Sequence, residues 1–354
     1  MLDEELSLEC DNSIVSLPAD ISRFTRLAKL DLTLCRRLTS LPESLGELKT
    51  LRTLVAEFCD QLTALPETLG QLSLLVTLNL SKCYGLTALP ESIGQLESLV
   101  TLDIRSCREL AHLPASLRQL HRMETLSMPG CLRVTALPED LSGLLALQTL
   151  DACCTGIQTT PESLTQLTTL RTLSFAQCER LTRLPESMGR LTALQYLHLN
   201  GCRALSVLPE STGQLVSLTT LRLGFCIALT RLPESLGQLQ ALTTLDLMHC
   251  SALTQLPEST GRLASLEALN ISHCSMLTRL PLSCSMLSDT LDFCDSGFLV
   301  FPPPYLGWMN TKTFLELHHH TLKILLIVIA SRRRRVRHLP PEVWELIYTE
   351  FLQH

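Results

Sequence analysis

Leucine and other apolar residues recur along most of the chain in a spacing that repeats every 24 residues. In a representative copy, from Leu75 to Leu96, the apolar Leu78 and Leu80 stand on either side of the polar Asn79. Alternation with a period of two is typical of a short strand that buries one face. Each repeat is therefore predicted to begin with one strand.

Beyond the strand the apolar residues are more widely spaced, at Leu86, Leu89, Ile93 and Leu96. This spacing predicts a turn and then a short helical or 3-10 segment that returns along the opposite side of the coil. Pro90 begins the segment, where its fixed φ and missing N–H donor are tolerated. The same position is held in successive repeats by Pro18, Pro42, Pro66, Pro90, Pro114, Pro138, Pro161, Pro185, Pro209, Pro233, Pro257 and Pro281.

One coil of this kind cannot bury its own leucines, so the coils must stack on one another. The predicted fold class is α/β, as a curved solenoid with a parallel sheet on the concave face and short helical or 3-10 segments on the convex face. We expect three regions: a degenerate N-terminal repeat or cap over residues 1–24, the solenoid over 25–304, and a C-terminal tail over 305–354.

The motif LxxLxLxxCxxLxxLPxxLGxL resembles the leucine-rich repeats of intracellular signalling scaffolds and of plant disease-resistance receptors. The resemblance extends from about Leu6 to Phe301. It implies a horseshoe that recognises a protein partner through its concave sheet. It does not imply the nucleotide-binding switch domain of the resistance receptors, because the chain contains no GxxxxGK[ST] motif.

Most of the fifteen cysteines follow the repeat. Eleven of them lie seven residues before a repeat proline, namely Cys35, Cys59, Cys83, Cys107, Cys131, Cys154, Cys178, Cys202, Cys226, Cys250 and Cys274. A thiol can fill this buried position as a small apolar group with a weak donor, so we expect reduced, packed side chains rather than disulfides or a metal site. The sixth repeat is one residue shorter, with Thr155 at the cysteine position and the small Ala152 in the strand, and is predicted to be the weakest coil.

Charge and apolar runs limit the location and the partner. A net charge of -6 and a pI near 5.9 disfavour nucleic acid, which requires a concentrated basic face. The acidic N-terminus lacks the features of a secretory signal, and the apolar run from Ile324 to Ala330 is too short to span a bilayer. We therefore expect a cytoplasmic protein with no membrane partner, and the basic run Arg332–Arg337 leaves nuclear entry open.

The tail contains a short segment that resembles the first helix of an F-box, a module that docks on a cullin-ligase adaptor. Four residues of this segment are the candidate adaptor contacts: Leu339, Pro340, Trp344 and Ile347. The tail also resembles a SOCS-type box, incompletely. The alternative is an amphipathic helix that caps the solenoid. Both resemblances imply a second hypothesis, in which the repeats select a substrate for a cullin-type ubiquitin ligase.

No catalytic constellation is predicted, and neither is a metal, a cofactor or a small-molecule substrate. Histidines, cysteines and carboxylates follow the repeat instead of converging on one pocket. A thiol nucleophile at Cys284 or Cys294 would need a base nearby, and the sequence identifies none.

Partner binding is predicted on the inner wall of the C-terminal repeats. Threonine dominates the first wall position and offers little discrimination, in a row made of Thr53, Thr77, Thr101, Thr125, Thr149, Thr172, Thr220 and Thr244. From the eighth repeat onward the wall becomes varied, with residue types enriched at interface hot spots. This C-terminal patch comprises Tyr196, His198, Asn200, Arg222, Phe225, Asp246, Met248, His249, Asn270 and His273. A smaller rival patch comprises Glu57, Phe58 and Arg105.

Overall fold

A computed structural model describes residues 4–277, 280–281 and 283–284 of the chain. Within them, twelve three-residue strands form one parallel sheet in the order in which they occur in the sequence. The strands are β1 (Glu5–Ser7), β2 (Lys29–Asp31), β3 (Thr53–Val55), β4 (Thr77–Asn79), β5 (Thr101–Asp103), β6 (Thr125–Ser127), β7 (Thr149–Asp151), β8 (Thr172–Ser174), β9 (Tyr196–His198), β10 (Thr220–Arg222), β11 (Thr244–Asp246) and β12 (Ala268–Asn270). The predicted α/β repeat solenoid is confirmed.

The return segments of the coils are 3-10 helices. They are η1 (Ala19–Arg23), η2 (Glu43–Glu47), η3 (Glu67–Gln71), η4 (Glu91–Gln95), η5 (Ala115–Gln119), η6 (Glu162–Gln166), η7 (Met188–Arg190), η8 (Glu210–Gln214), η9 (Glu234–Gln238) and η10 (Glu258–Arg262). In a typical coil the repeat proline has an extended backbone and directly precedes the helix. Its carbonyl oxygen accepts the first hydrogen bond of the helix, as Pro42 O does from Leu45 N at 3.0 Å. No helix in the described ranges is long and apolar enough to cross a membrane.

The core is a set of leucine columns between the sheet and the 3-10 helices. The central residue of a typical strand is a fully buried leucine that pairs with the leucine of the next strand, as Leu78 does with Leu102. Glutamates at the first position of the helices connect neighbouring coils, because their carboxylates accept backbone N–H bonds from the next helix. Glu67 accepts one from Ser92 at 3.2 Å, and Glu91 accepts one from Ser116 at 3.1 Å.

A glycine column lets the 3-10 helices pack closely. A Cβ atom on Gly94 would stand 2.5 Å from the Ser116 carbonyl oxygen of the next coil. Comparable clashes of 2.1 to 2.5 Å with a carbonyl oxygen occur at Gly46, Gly70, Gly189, Gly213, Gly237 and Gly261. Two coils have a larger residue in this column. After Arg118 the next coil has no 3-10 helix over residues 139–143, and after Thr165 the next helix is shortened to η7. These two larger side chains therefore occur where the next coil leaves room, whereas Ser22 and Ser142 place a small side chain at the same position.

The cysteine ladder forms a series of bonds between coils that is interrupted at the sixth repeat. Each Sγ donates to the carbonyl oxygen at the strand end of the preceding coil, as Cys83 does to Ala56 at 3.0 Å and Cys107 does to Leu80 at 3.2 Å. The ladder consists of Cys35, Cys59, Cys83, Cys107, Cys131, Cys178, Cys202, Cys226, Cys250 and Cys274. All of them are free and buried.

The count of seven residues back from Pro161, which put Cys154 in the ladder, was wrong, and the prediction of Thr155 at the cysteine position is confirmed. Thr155 occupies the ladder position, is buried, and donates its hydroxyl to the Ala152 carbonyl oxygen at 2.9 Å. Cys154 lies one residue earlier and is only half-buried. This repeat lacks one residue between Thr155 and Pro161. Counting seven residues back from Pro161 therefore reaches Cys154 instead of Thr155.

We expect the ladder thiols to react slowly in the native protein. Burial raises the pKa of Cys35 to about 11 and that of Cys131 to about 12, so the reactive thiolate is scarce at pH 8. A maleimide should label the exposed Cys10 and the half-buried Cys154 first, and the ladder only after denaturant is added. Rapid labelling of most ladder cysteines in the native state, read by peptide mass spectrometry, would contradict this packing.

The first strand pairs with β2 in the same register as its successors, Leu6 with Leu30. Asp11, which stands where the other coils have the ladder residue, is exposed and accepts a bond from Ser13 N at 2.8 Å. A polar residue suits this position because its side chain is exposed. The predicted boundary at 304 and the predicted tail lie outside the described residues.

Candidate functional site

The sheet register aligns the strand members of the C-terminal patch. Tyr196 pairs with Thr220 at the first strand position. At the third position, His198 pairs with Arg222, Arg222 with Asp246, and Asp246 with Asn270. Neighbouring parallel strands lie about 4.8 Å apart, so these side chains form one row about 15 Å long across four coils.

Tyr196 and Arg222 are the accessible members of this row. Tyr196 is 42% exposed, and Arg222 is exposed and makes no ion pair with any residue in the described part of the chain. Tyr196 and His198 have parallel rings with centroids 6.4 Å apart. Burial lowers the pKa of His198, and the nearby Arg222 cation lowers it further, so the imidazole is neutral at pH 7. The row thus presents one cation and one aromatic ring to solvent.

Asp246 and Asn270 have a structural task in addition to their place on the wall. The Asp246 carboxylate accepts a bond from Met248 N, and the Asn270 side-chain oxygen accepts one from Ser272 N, each at 3.1 Å. Asp103 makes the same contact with its own turn, to Arg105 N at 3.1 Å. This position therefore stabilises the turn after the strand wherever Asp or Asn occupies it.

The residue just before the ladder has a left-handed backbone in these coils, with φ of 63° at Phe225, 58° at His249 and 60° at His273. An inter-coil bond fixes it, because the residue's N–H donates to a carbonyl of the next coil, from Phe225 to Met248 at 2.6 Å and from His249 to Ser272 at 2.7 Å. A left-handed backbone costs a bulky residue about 1 kcal/mol. Gly130 and Gly201 avoid that cost at the same position, with φ of 79°.

The three rings at this position form a stack along the wall. The centroids of Phe225 and His249 are 4.6 Å apart, and those of His249 and His273 are 4.2 Å apart. Phe225 remains 42% exposed at one end of the stack. Beside it stands Ile227, which is 45% exposed and was not predicted, because it lies just beyond the ladder, outside the wall positions considered. The sequence does contain a signal that could have identified Ile227: the next two coils have serine at this position, Ser251 and Ser275.

Asn200 and Met248 complete the patch, on the turns that follow β9 and β11. Both are half-buried. Their backbone carbonyls accept the N–H bonds of the left-handed residues in the preceding coil, Gln177 and Phe225. The structure therefore places all ten predicted residues on four adjacent coils, and Tyr196, Arg222, Phe225 and the two stacked histidines make up its accessible surface.

The rival patch is neutralised by its own neighbours. Lys82, which the sequence analysis missed, pairs with Glu57 at 3.0 Å and lies 4.0 Å from the centroid of the Phe58 ring. Arg105 pairs with Asp103 at 2.6 Å. The charged side chains of this patch thus already form ion pairs within the chain, whereas Arg222 forms none among the described residues.

The other candidate chemistries gain no support. In the described ranges no group of three or more His, Cys, Asp or Glu side chains is arranged to hold a metal ion. Cys284 is buried, which raises the pKa of its thiol to about 12 and makes it a poor nucleophile at neutral pH. Cys294 and the candidate adaptor contacts Leu339, Pro340, Trp344 and Ile347 lie outside the described residues.

Comparison with known proteins agrees with the geometry. A family model described as a leucine-rich repeat region matches residues 7–133 and 128–225. No curated protein matches the chain. Among solved structures, an internalin (inlF) from Listeria monocytogenes is 18% identical with a TM-score of 0.53, and the alignment covers 80% of this chain and 88% of the internalin.

Two further solved structures are similar to the chain. A leucine-rich-repeat protein of Leptospira interrogans is 24% identical with a TM-score of 0.46, and the match covers 79% of this chain and 81% of that protein. The leucine-rich-repeat domain of the type III effector XopL is 28% identical with a TM-score of 0.42, over 73% of each chain. The internalin supports the fold of this chain and nothing about its function, because the two proteins are only 18% identical.

Proposed function

Because the chain belongs to the leucine-rich repeat family, we propose that it is a non-catalytic scaffold that binds a partner protein through the C-terminal patch of its concave face. The observation that carries the proposal is the stack of Phe225, His249 and His273 beside the exposed Tyr196 and Arg222, which has no ion pair among the described residues. Two other coils have glycine where the stack has rings. The fold therefore does not require these bulky side chains.

The chemistry of the patch favours a protein surface as the ligand. Aromatic residues and arginine are among the types most enriched at interface hot spots. Arg222 can form a bidentate pair with a carboxylate of the partner without breaking an ion pair of its own. We expect the matching surface to supply an acidic side chain opposite Arg222 and apolar groups opposite Tyr196 and Phe225.

Alanine variants of the accessible residues test this function. Tyr196→Ala, Arg222→Ala and Phe225→Ala should each weaken binding of a partner recovered by pull-down by about 1 to 3 kcal/mol, with almost unchanged thermal stability. Two matched controls, Glu234→Ala on η9 and Phe58→Ala in the rival patch, should bind like the original protein. Affinities are measured by calorimetry. Unchanged affinity in all three patch variants would move the interface elsewhere.

A second candidate function is that of a substrate receptor for a cullin-type ubiquitin ligase. The segment that begins at Leu339 supports it through its resemblance to an F-box helix. Under this hypothesis a ligase adaptor co-purifies with the full chain, and substitution of Leu339 and Trp344 abolishes the association while Phe225→Ala does not. The opposite dependence favours the first function. In either case we propose a cytoplasmic protein, with a role in signalling as the expected setting.

A further inference from the structure

Cys153 and Cys154 form an accessible pair of thiols on the inner wall of the shortened sixth repeat. Their Sγ atoms are 3.3 Å apart, and both residues are half-buried and free. They differ in this from the ladder cysteines, each of which is buried and donates to a backbone carbonyl. Neither thiol of the pair is needed for the ladder, because Thr155 fills that position.

The wall around this pair carries mostly small side chains. The repeat places Cys153 between Pro129 of the preceding coil and Ala176 of the following one. Cys154 stands between Gly130 of the preceding coil and Gln177 of the following one. A compact ligand can therefore approach both sulfur atoms from the concave side.

The backbone holds the two sulfur atoms close but opposes a disulfide between them. Both sides of the peptide bond that joins them are engaged: Gly130 N donates to Cys153 O at 2.8 Å, and Cys154 N donates to Ala176 O at 2.7 Å. Consecutive Cα atoms across a trans peptide are about 3.8 Å apart, below the roughly 4.4 to 6.8 Å of ordinary disulfides. Oxidation would have to distort this peptide bond and its two inter-coil bonds, so the dithiol form is favoured.

We propose that Cys153 and Cys154 are a dithiol site for soft, three-coordinate electrophiles of the trivalent arsenic or antimony class. A centre bonded to both sulfur atoms at about 2.3 Å, as in zinc thiolates, would join sulfurs 3.3 Å apart at an angle near 90°. That angle suits a pyramidal three-coordinate centre. A linear two-coordinate ion would need the sulfurs about 4.6 Å apart, and structural zinc needs four ligands.

The binding reaction is a condensation without change of oxidation state. With a monosubstituted arsine oxide, two As–S bonds form, the bonds from arsenic to the oxide oxygen break, and the two thiol protons leave with that oxygen as one water molecule. Arsenic remains trivalent, so no oxidant or reductant is required.

Phenylarsine oxide and the full chain provide the test. The chain should take up one equivalent, seen by intact mass, which 2,3-dimercaptopropanol removes and 2-mercaptoethanol does not. Cys153→Ser and Cys154→Ser should each weaken binding on the order of a hundredfold, because a single thiol loses the chelate. The control variants Cys10→Ser and Cys294→Ser should bind as the original protein does, and unchanged circular dichroism of all four variants verifies the fold.

Three results would overturn the proposal. They are no adduct on the original chain, an adduct that persists in both Cys153→Ser and Cys154→Ser, and an adduct lost in Cys294→Ser.

Treatment with hydrogen peroxide serves as a separate check of the backbone argument. Rapid formation of a disulfide between Cys153 and Cys154 would show that the peptide bond between them does not oppose their oxidation.

Discussion

Replacing Phe175 with alanine should lower the free energy of unfolding by about 3 to 5 kcal/mol. Phe175 is completely buried, at the position that leucine or isoleucine holds in most coils. The equivalent residue of the preceding coil is Ala152, also completely buried. Since equivalent positions of neighbouring coils are about 4.8 Å apart, we expect the ring of Phe175 to fill volume that Ala152 leaves empty.

A double-mutant cycle tests this compensation. Ala152→Leu alone should overpack the sixth coil, and Phe175→Leu alone should leave a cavity, each at a cost of about 1 to 3 kcal/mol. The double variant restores the usual pair of leucines and should be more stable than the sum of the single changes predicts. Denaturant unfolding followed by circular dichroism gives the values. Strict additivity would show that the two side chains do not share one space.

The second large effect is expected at the glycine column. Gly94→Val should cost about 3 kcal/mol, because even a Cβ atom would stand 2.5 Å from the Ser116 carbonyl oxygen and 2.7 Å from the Ser116 Cβ. Relief requires η4 and η5 to separate, which weakens the Glu91 bond to Ser116 N as well.

The matched control lies in the same column, one coil further on. Arg118→Val introduces the same side chain where no 3-10 helix follows, over residues 139–143. It removes an exposed ion pair between Arg118 and Asp140, so its cost should stay within about 0.5 kcal/mol. Melting temperatures of both variants measure the difference. Equal losses would mean that the glycines are not required by the close approach of the helices.

Much of the fold could be predicted because one pattern specifies it at every coil. Strand leucines such as Leu78, the proline before each 3-10 helix and the buried cysteine positions all follow from spacing and polarity. The error at Cys154 arose where the pattern loses a residue. A deletion can be counted from the strand or from the proline, and only the position of the Thr155 hydroxyl against the Ala152 carbonyl decides between them.

The candidate site was less predictable than the fold. The sequence places the patch residues on neighbouring strands, yet it does not show that Asp246 is bonded to its own turn or that Glu57 is already paired with Lys82. It also gives no sign of the left-handed backbone of Phe225, because phenylalanine rarely adopts it. Such features depend on inter-coil bonds, which arise only when the repeats stack.

The central claim is that the partner contacts the concave face at the C-terminal patch, and photo-crosslinking tests it most directly. Benzoylphenylalanine is placed at Phe225 in one variant and at the exposed Glu234 of η9 in another, and each is irradiated with the bound partner. We predict a covalent adduct from position 225 and none from position 234. An adduct from position 234 with none from position 225 would contradict the proposed binding face.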